Sequence, residues 1–371
     1  MAILLAAVML ALAGQEPQVD LDEILKTARA SYSKGDYERA RKMLEEAWSA
    51  IAEKGPPADP KRYEVLKQLA GVLSVSAQYT DALNYLELAI NWRETVIGRD
   101  DPKIADDLTE LAMVCYHLKD FPRALAILQR VADTHVKTAG FESSRVADDF
   151  SRMALVNMDA KEPDRAAGNL ETTIAIREKL LGPEHPGLLP ELDRLASAWL
   201  ACREYGKAEG TFRRAMVIRE QLLGPAHPDL IPTVEGLAYA LFGEKRFEEA
   251  EVSYKRLLAL WVNSAGPDHP MVALTLDKLA VFYREQERFR EALAAADQAI
   301  AIRALFLAKG LSQEATARQA QGEKREAEQL FRRALVVLDP SRPEQEKFRQ
   351  QIESILAELT GKPGKPRRKQ P

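Results

Sequence analysis

Two rows of alanine run through this chain at a fixed interval of 42 residues. One row is Ala28, Ala70, Ala112, Ala154, Ala196, Ala238 and Ala280. The other lies 12 residues further on each time: Ala40, Ala82, Ala124, Ala166, Ala208, Ala250 and Ala292. A single compact core does not ask for such regularity, whereas one supersecondary unit repeated end to end does. Small residues in fixed phase let two helix backbones approach closely, and a larger side chain there would wedge them apart. An eighth pair, Ala315 and Ala327, keeps the interval of 12 but follows the seventh after 35 residues.

Between the alanines the spacing is that of amphipathic helices, not strands. Leucines precede the first Ala at helical intervals, as in Leu192 and Leu195 or Leu276 and Leu279. Three residues before the second Ala stands an aromatic: Tyr37, Tyr79, Phe121, Tyr205, Phe247 and Phe289. Four after it comes a large apolar residue, as at Leu44, Leu86, Leu128, Leu170, Phe212, Tyr254 and Phe331. The fourth unit is the weakest, with Pro163 in place of the aromatic and Gly168 inside its second helix, where glycine costs about 1 kcal/mol relative to alanine.

A joint recurs at the same period. "GPEHP" at Gly182, "GPAHP" at Gly224 and "GPDHP" at Gly266 are preceded by degraded copies opening at Gly14, Pro56, Gly98 and Gly140. Glycine is expected to end a helix in the left-handed conformation. The first proline stops the helix, and the second suits the first position of the next one. The residue before that second proline is His185, His227 or His269, but Asp59 and Asp101 in earlier copies. His and Asp share a side-chain acceptor, so the position reads as an N-cap. A zinc site built from the three histidines would need every nitrogen at about 2.0–2.1 Å from one ion, whereas helix packing would set them roughly 8–10 Å apart.

The pattern L-x2-L-A, then aromatic-x2-A, then x3-F/L resembles the tetratricopeptide repeat, and the 42-residue spacing with its "LGPxHP" joint resembles the kinesin light chain subtype. The match runs over about residues 21–340, as units 21–54, 63–96, 105–138, 147–180, 189–222, 231–264, 273–306 and 308–341. The resemblance implies an all-α helix-turn-helix solenoid, a right-handed superhelix whose first helices line a groove for a peptide or helix of a partner. Residues 343–360 follow as a capping helix, with Phe348, Ile352, Ile355, Leu356 and Leu359 at helical spacing.

The ends differ from the array. Ile3–Ala13 is an apolar run followed by an A-x-A pattern at Ala11–Ala13. It reads as a signal peptide, residues 1–13, cleaved near Ala13, which makes the protein exported, periplasmic or secreted. No Lys or Arg precedes the run, so the alternative is an apolar N-terminal segment that stays in place. The run falls short of the ~20 residues a transmembrane helix needs. Residues 361–371 form a basic, compositionally disordered tail with Lys362, Lys365, Arg367, Arg368 and Lys369. The chain carries a net charge of −4 with those cations included, so the body is acidic and does not offer a broad nucleic-acid surface. Cys115 and Cys202 are expected as free thiols.

No G-x-S-x-G, H-E-x-x-H, P-loop or dinucleotide fingerprint occurs, and repeats filling the chain leave no room for a separate catalytic domain. The sequence therefore points to a non-catalytic protein–protein interaction scaffold, without cofactor or metal. Two other readings are an enzyme or metal-dependent subunit working in the groove, and docking of the basic tail on anionic lipid or nucleic acid. The candidate site is the row Asp193, Glu235 and Asp277, one carboxylate per repeat at one helix phase, with Arg194 and Lys278 beside it. The kinesin light chain pattern has Asn near these positions, where this chain has "LDRLA" and "LDKLA". A row of carboxylates fits a partner segment bearing Lys or Arg. His117 and His135 are expected as ordinary surface or groove residues.

Overall fold

The computed structural model describes residues 20–54, 59–99 and 101–360. The apolar run, the signal-peptide cleavage position and the basic tail lie outside these residues. Sixteen α-helices and no strands are present among the described residues. They alternate as first and second members of helix pairs. In order these are α1 (Leu21–Ser33) with α2 (Tyr37–Lys54), α3 (Pro60–Val75) with α4 (Tyr79–Ile97), α5 (Ala105–His117) with α6 (Phe121–Ala139), and α7 (Ser144–Asp159) with α8 (Pro163–Leu181). There follow α9 (Leu189–Ala201) with α10 (Tyr205–Leu223), α11 (Ile231–Gly243) with α12 (Phe247–Ala265), and α13 (Pro270–Glu285) with α14 (Phe289–Ala320). The last two are α15 (Lys324–Val337) and α16 (Pro343–Thr360). The chain divides into two compact units, residues 1–191 and 192–371.

The alanine rows sit where the helices touch. In the first row Ala28 to Ala238 are at most 1% exposed, and in the second Ala40 to Ala250 are all fully buried. In unit 1 Ala28, Ala40, Ala70 and Ala82 join a core with Leu25, Leu44, Leu69, Leu86, Leu108 and Val131, and Ala112 and Ala124 join a second with Cys115, Leu128, Met153 and Val156. In unit 2, Leu305, Ala315, Phe331 and Ile352 form a separate cluster, on which Phe348, Ile355, Leu356 and Leu359 of α16 pack. Gln345, fully buried at the start of α16, ties that helix to α14 by donating to the carbonyl of Ala301 at 3.0 Å.

The joint works as a cap, with one correction. Gly98, Gly140, Gly182, Gly224 and Gly266 have φ between +81° and +99° but ψ between 151° and 161°. That is the extended positive-φ region, not the left-handed helical one expected. It is open essentially to glycine alone, so the recurrence of glycine here is dictated by backbone sterics. The following N-cap is as expected. Asp59 and Asp101 accept from the backbone N–H two residues on, at 2.9 and 2.8 Å. His185, His227 and His269 do the same through Nδ1 at 3.0, 3.2 and 3.2 Å. The imidazole therefore presents an unprotonated Nδ1.

The turn inside each pair is a second period-42 feature, unmarked by composition. Ala77, Lys119, Lys161, Arg203, Lys245 and Glu287 all have φ between 57° and 65°. Each is followed by an N–H that reaches back five residues, as in Gln78 to Leu73 at 2.8 Å and Glu162 to Asn157 at 2.9 Å. This is the Schellman closure, made here mostly without glycine.

One boundary differs from the sequence reading. The eighth unit was expected to begin a new helix near residue 308. Instead α14 runs unbroken for 32 residues, from Phe289 to Ala320. No Gly-Pro joint stands between residues 289 and 320, and Gly310 is held within the helix. With neither a positive-φ glycine nor a proline, nothing stops the helix.

Candidate functional site

Asp193, Glu235 and Asp277 lie one per first helix, on α9, α11 and α13 of unit 2, each partly exposed. The structure supplies every one of them with a cation from the same chain. Arg219 of α10 clamps Asp193, with Nη1 on Oδ1 at 2.9 Å and Nη2 on Oδ2. Arg303 of α14 does the same to Asp277, with Nη1 on Oδ1 at 3.2 Å and Nη2 on Oδ2. Lys278 reaches back to Glu235. Of the two cations expected beside the row, Lys278 joins it. The other two partners are arginines 26 residues downstream, on the second helix of the same repeat. Arg194 is exposed on α9. Partial burial pushes the Lys278 ammonium below its usual range, while the bond to Asp277 pushes the Arg303 guanidinium further up.

Beside these ion pairs the first helices of repeats six and seven present apolar side chains to solvent. Tyr239 on α11 and Leu274 and Val281 on α13 are each between 41% and 50% exposed. Tyr239 is steadied edge-on against Tyr205, ring centres 6.2 Å apart. α11 can carry this surface because Gly236 makes room beneath it. A Cβ at Gly236 would stand 2.1 Å from the ring of Phe212.

A further polar row went unread in the sequence. Arg93, His135, Arg177 and Arg219 are spaced by 42 on the second helices, and each reaches the next repeat's first helix 14 residues on. In unit 1 the partners are carboxylates: Asp107 at 2.8 Å, Asp149 at 2.6 Å and Glu191 at 2.9 Å. All three are at most 3% exposed. Asp107 is also met by Lys67 at 2.8 Å and by the Tyr63 hydroxyl at 2.9 Å. His135 is thus a buried partner, not the surface or groove residue expected. Burial raises the Asp149 carboxyl, and its bond to His135 offsets part of that rise. In unit 2 the corresponding partner of Arg219 is a buried hydroxyl, Thr233. The readable signal was the acid at phase 107, 149 and 191, set 14 residues after a cation.

Helix pairs of this length, closed by a tight turn and joined by a capped linker at a constant period, define a helical-repeat protein. Two family models, both described as tetratricopeptide repeat, match residues 62–134 and 230–304, and 150–187 and 192–229, together more than half of the sequence. The chain belongs to the tetratricopeptide repeat family, with the 42-residue period of the kinesin light chain-like type. Among solved structures it is similar to the C-terminal part of a TPR repeat-containing protein from Cytophaga hutchinsonii. The two share 13% identity over 75% of this chain and 95% of that one, with a TM-score of 0.54. It is also similar to nearly identical kinesin light chain TPR-like repeats from Podosopora anserina, at 24% identity over 55% and 96%, TM-score 0.47. A third likeness is BtubC (BKLC) from P. vanneervenii, at 17% identity over 67% and 94%, TM-score 0.47. A search of curated proteins returned no match. Among the described residues no helix is long and apolar enough to cross a membrane.

Proposed function

We propose that this protein is an exported, non-catalytic scaffold that binds an extended segment or helix of a partner protein along the first helices of repeats five to seven. Its membership of the tetratricopeptide repeat family supports the scaffold role. The observation that supports the place is the exposure of Tyr239, Leu274 and Val281 among ion pairs on one set of first helices. Burying such side chains contributes up to about 1.5–3 kcal/mol each, and aromatic anchors of this kind dominate interfaces.

The carboxylate row has a smaller part. Each acid already holds a cation of its own chain, so a Lys or Arg of a basic partner gains only by sharing it, worth about 0.2–1 kcal/mol per pair. The row therefore sets register and orientation, while the apolar anchors supply affinity. Affinity capture from the extracytoplasmic fraction of the native host tests this. Tyr239→Ala with Val281→Ala should weaken retention of the partner about tenfold or more. Asp193→Asn, Glu235→Gln and Asp277→Asn together should weaken it a few-fold and flatten its salt dependence. Unchanged retention by a normally folded Tyr239/Val281 variant would sink the reading. N-terminal sequencing of the same material should begin at or next to Gly14, and an intact Met1 or Ala2 would count against export.

A further inference from the structure

Repeat seven ends differently from the others. In repeats one to three, five and six the second helix carries a face that the following first helix covers. Its markers are the opening aromatic, partly buried at Tyr37, Tyr79, Phe121, Tyr205 and Phe247, and the alanine row, fully buried from Ala40 to Ala250. In repeat seven the same face lies open. Phe289 is 59% exposed, Ile300 is 61% exposed, and Ala292 has come out of full burial. Leu293 beside them is 71% exposed.

The matching face on repeat eight lies open too. Its first helix is residues 308–320 of α14, with Ala315 in the alanine phase. The position at the start of the first helix, or just ahead of it, that packs on the preceding repeat is Ile104, Val146, Leu188, Leu230 and Val272, none above 3% exposed. Its counterpart ahead of repeat eight is Leu307, 51% exposed. A second such position, Val114, Val156, Ala240 and Phe282, is likewise buried. Its counterpart Ala317 is exposed, as is Ala30 in repeat one, the first repeat of the described residues. Repeat eight is nevertheless a complete pair, α14 with α15, cored by Ala315, Ala327 and Phe331 and covered by α16. It has the surface of a repeat that starts a stack.

Both halves of one interface are therefore present in a single chain, and a continuous helix holds them apart. Phe289 and Leu307 lie on the same rod, about 27 Å apart at 1.5 Å per residue. We propose that a second copy of this chain closes the gap by reciprocal exchange, with repeat eight of each protomer stacking on repeat seven of the other. A two-fold axis satisfies both open faces at once and leaves no further face to propagate. The unbroken α14 is the arm that carries repeat eight across. This inference is independent of the partner surface on α9, α11 and α13.

The stacking seen in other repeats names the pair of residues to test. Tyr79 stacks on His117 with ring centres 4.6 Å apart, and Tyr205 lies against the Gly243 position in the same register. Carried to the open faces, that contact is Phe289 of one copy with Ala320 of the other. Both are exposed, so cysteines there leave the fold intact. In a chain also carrying Cys115→Ala and Cys202→Ser, Phe289→Cys is made in one protein and Ala320→Cys in another. The two are mixed, left to exchange and oxidised. The proposal expects a disulfide-linked heterodimer, and a dimer by light scattering of the unmodified full chain. Ile300→Asp should raise the dimer dissociation constant about tenfold or more without changing helicity. A disulfide closing within one chain that carries both cysteines would overturn the proposal, because repeat eight would then fold back on its own repeat seven. A monomer at all concentrations, with no cross-link, would overturn it as well.

Discussion

The two units meet the same demand in different ways. Each places an arginine or histidine on the second helix at a fixed phase, and each must give that group a partner. In unit 1 the partner is a buried carboxylate on the following first helix: Asp107, Asp149 or Glu191. In unit 2 Arg219 meets a buried hydroxyl at that place, Thr233, and turns to Asp193 on its own first helix. Arg303 turns to Asp277 in the same way. Where the inner acid is threonine the countercharge lies on the half-exposed surface alone, whereas Arg177 of unit 1 has both, buried Glu191 and half-exposed Asp148. Unit 1 uses its charges to hold neighbouring repeats together. Unit 2 displays them, next to Tyr239, Leu274 and Val281.

The comparison is broken most sharply at its buried end. Asp107→Asn leaves Arg93 without its countercharge and Lys67 with Glu110 alone, and should destabilise unit 1 by about 3–5 kcal/mol. Thr233→Val in unit 2 should cost only about 1 kcal/mol. Because repeats can open locally, hydrogen exchange of α4–α5 and of α10–α11 is the suitable readout. Equal losses would contradict the distinction.

A packing difference comes next. In unit 1 the large position of the second helix is Leu44, Leu86, Leu128 and Leu170, and the facing first-helix position carries Gln68, Glu110 or Arg152. In unit 2 it is Phe212, with Gly236 opposite. Gly236→Ala should cost about 1–3 kcal/mol through overpacking. Adding Phe212→Leu, the unit 1 solution, should recover part of that loss in a thermal melt. If Gly236→Ala alone is neutral, Phe212 has room to move and the pairing is not specific.

Acid separates the units by sign. The second helices of unit 2 are linked by Arg246 to Glu209 and Arg288 to Glu251, where unit 1 has Leu83, Leu125 and Ala167. The hydrogen bond from Arg288, with those from Lys255 and Tyr283, holds the Glu251 carboxyl down to about 2 against a partial rise from burial. A depressed carboxyl contributes stability that is complete above its unfolded value near 4.5 and is lost as pH falls toward about 2. Burial raises the Asp149 carboxyl of unit 1, so its protonation in acid does not carry that loss. Between pH 4.5 and 2 the melting of unit 2 should fall faster than that of unit 1, and Glu251→Gln should reduce the difference.

What the sequence revealed follows from covalent constraints. The glycines and prolines of the joint are legible because few residues adopt that backbone. The alanines are legible because only small side chains fit there. The polar ladder was hidden because its members change type, from Arg to His and from Asp to Thr, and meet across a repeat boundary. Within Asp106-Asp107 and Asp148-Asp149 the sequence offers nothing to tell one acid from its neighbour, yet Asp107 and Asp149 turn inward while Asp106 is exposed. The carboxylate row was found at the right phase, but not its owners: Arg219 and Arg303 lie 26 residues away on other helices. The shortening from 42 to 35 residues marked the place where α14 fails to turn, and the retained alanine pair masked it.

On the proposed function, unit 2 presents a recognition surface while unit 1 uses the corresponding residues for cohesion. Hydrogen exchange of the full chain, with and without the partner recovered by capture, tests it most directly. Slowed exchange is expected on α9, α11 and α13, centred on Tyr239 and Val281, with no change on α3, α5 and α7. Protection confined to α3, α5 and α7, with the unit 2 helices unchanged, would contradict it.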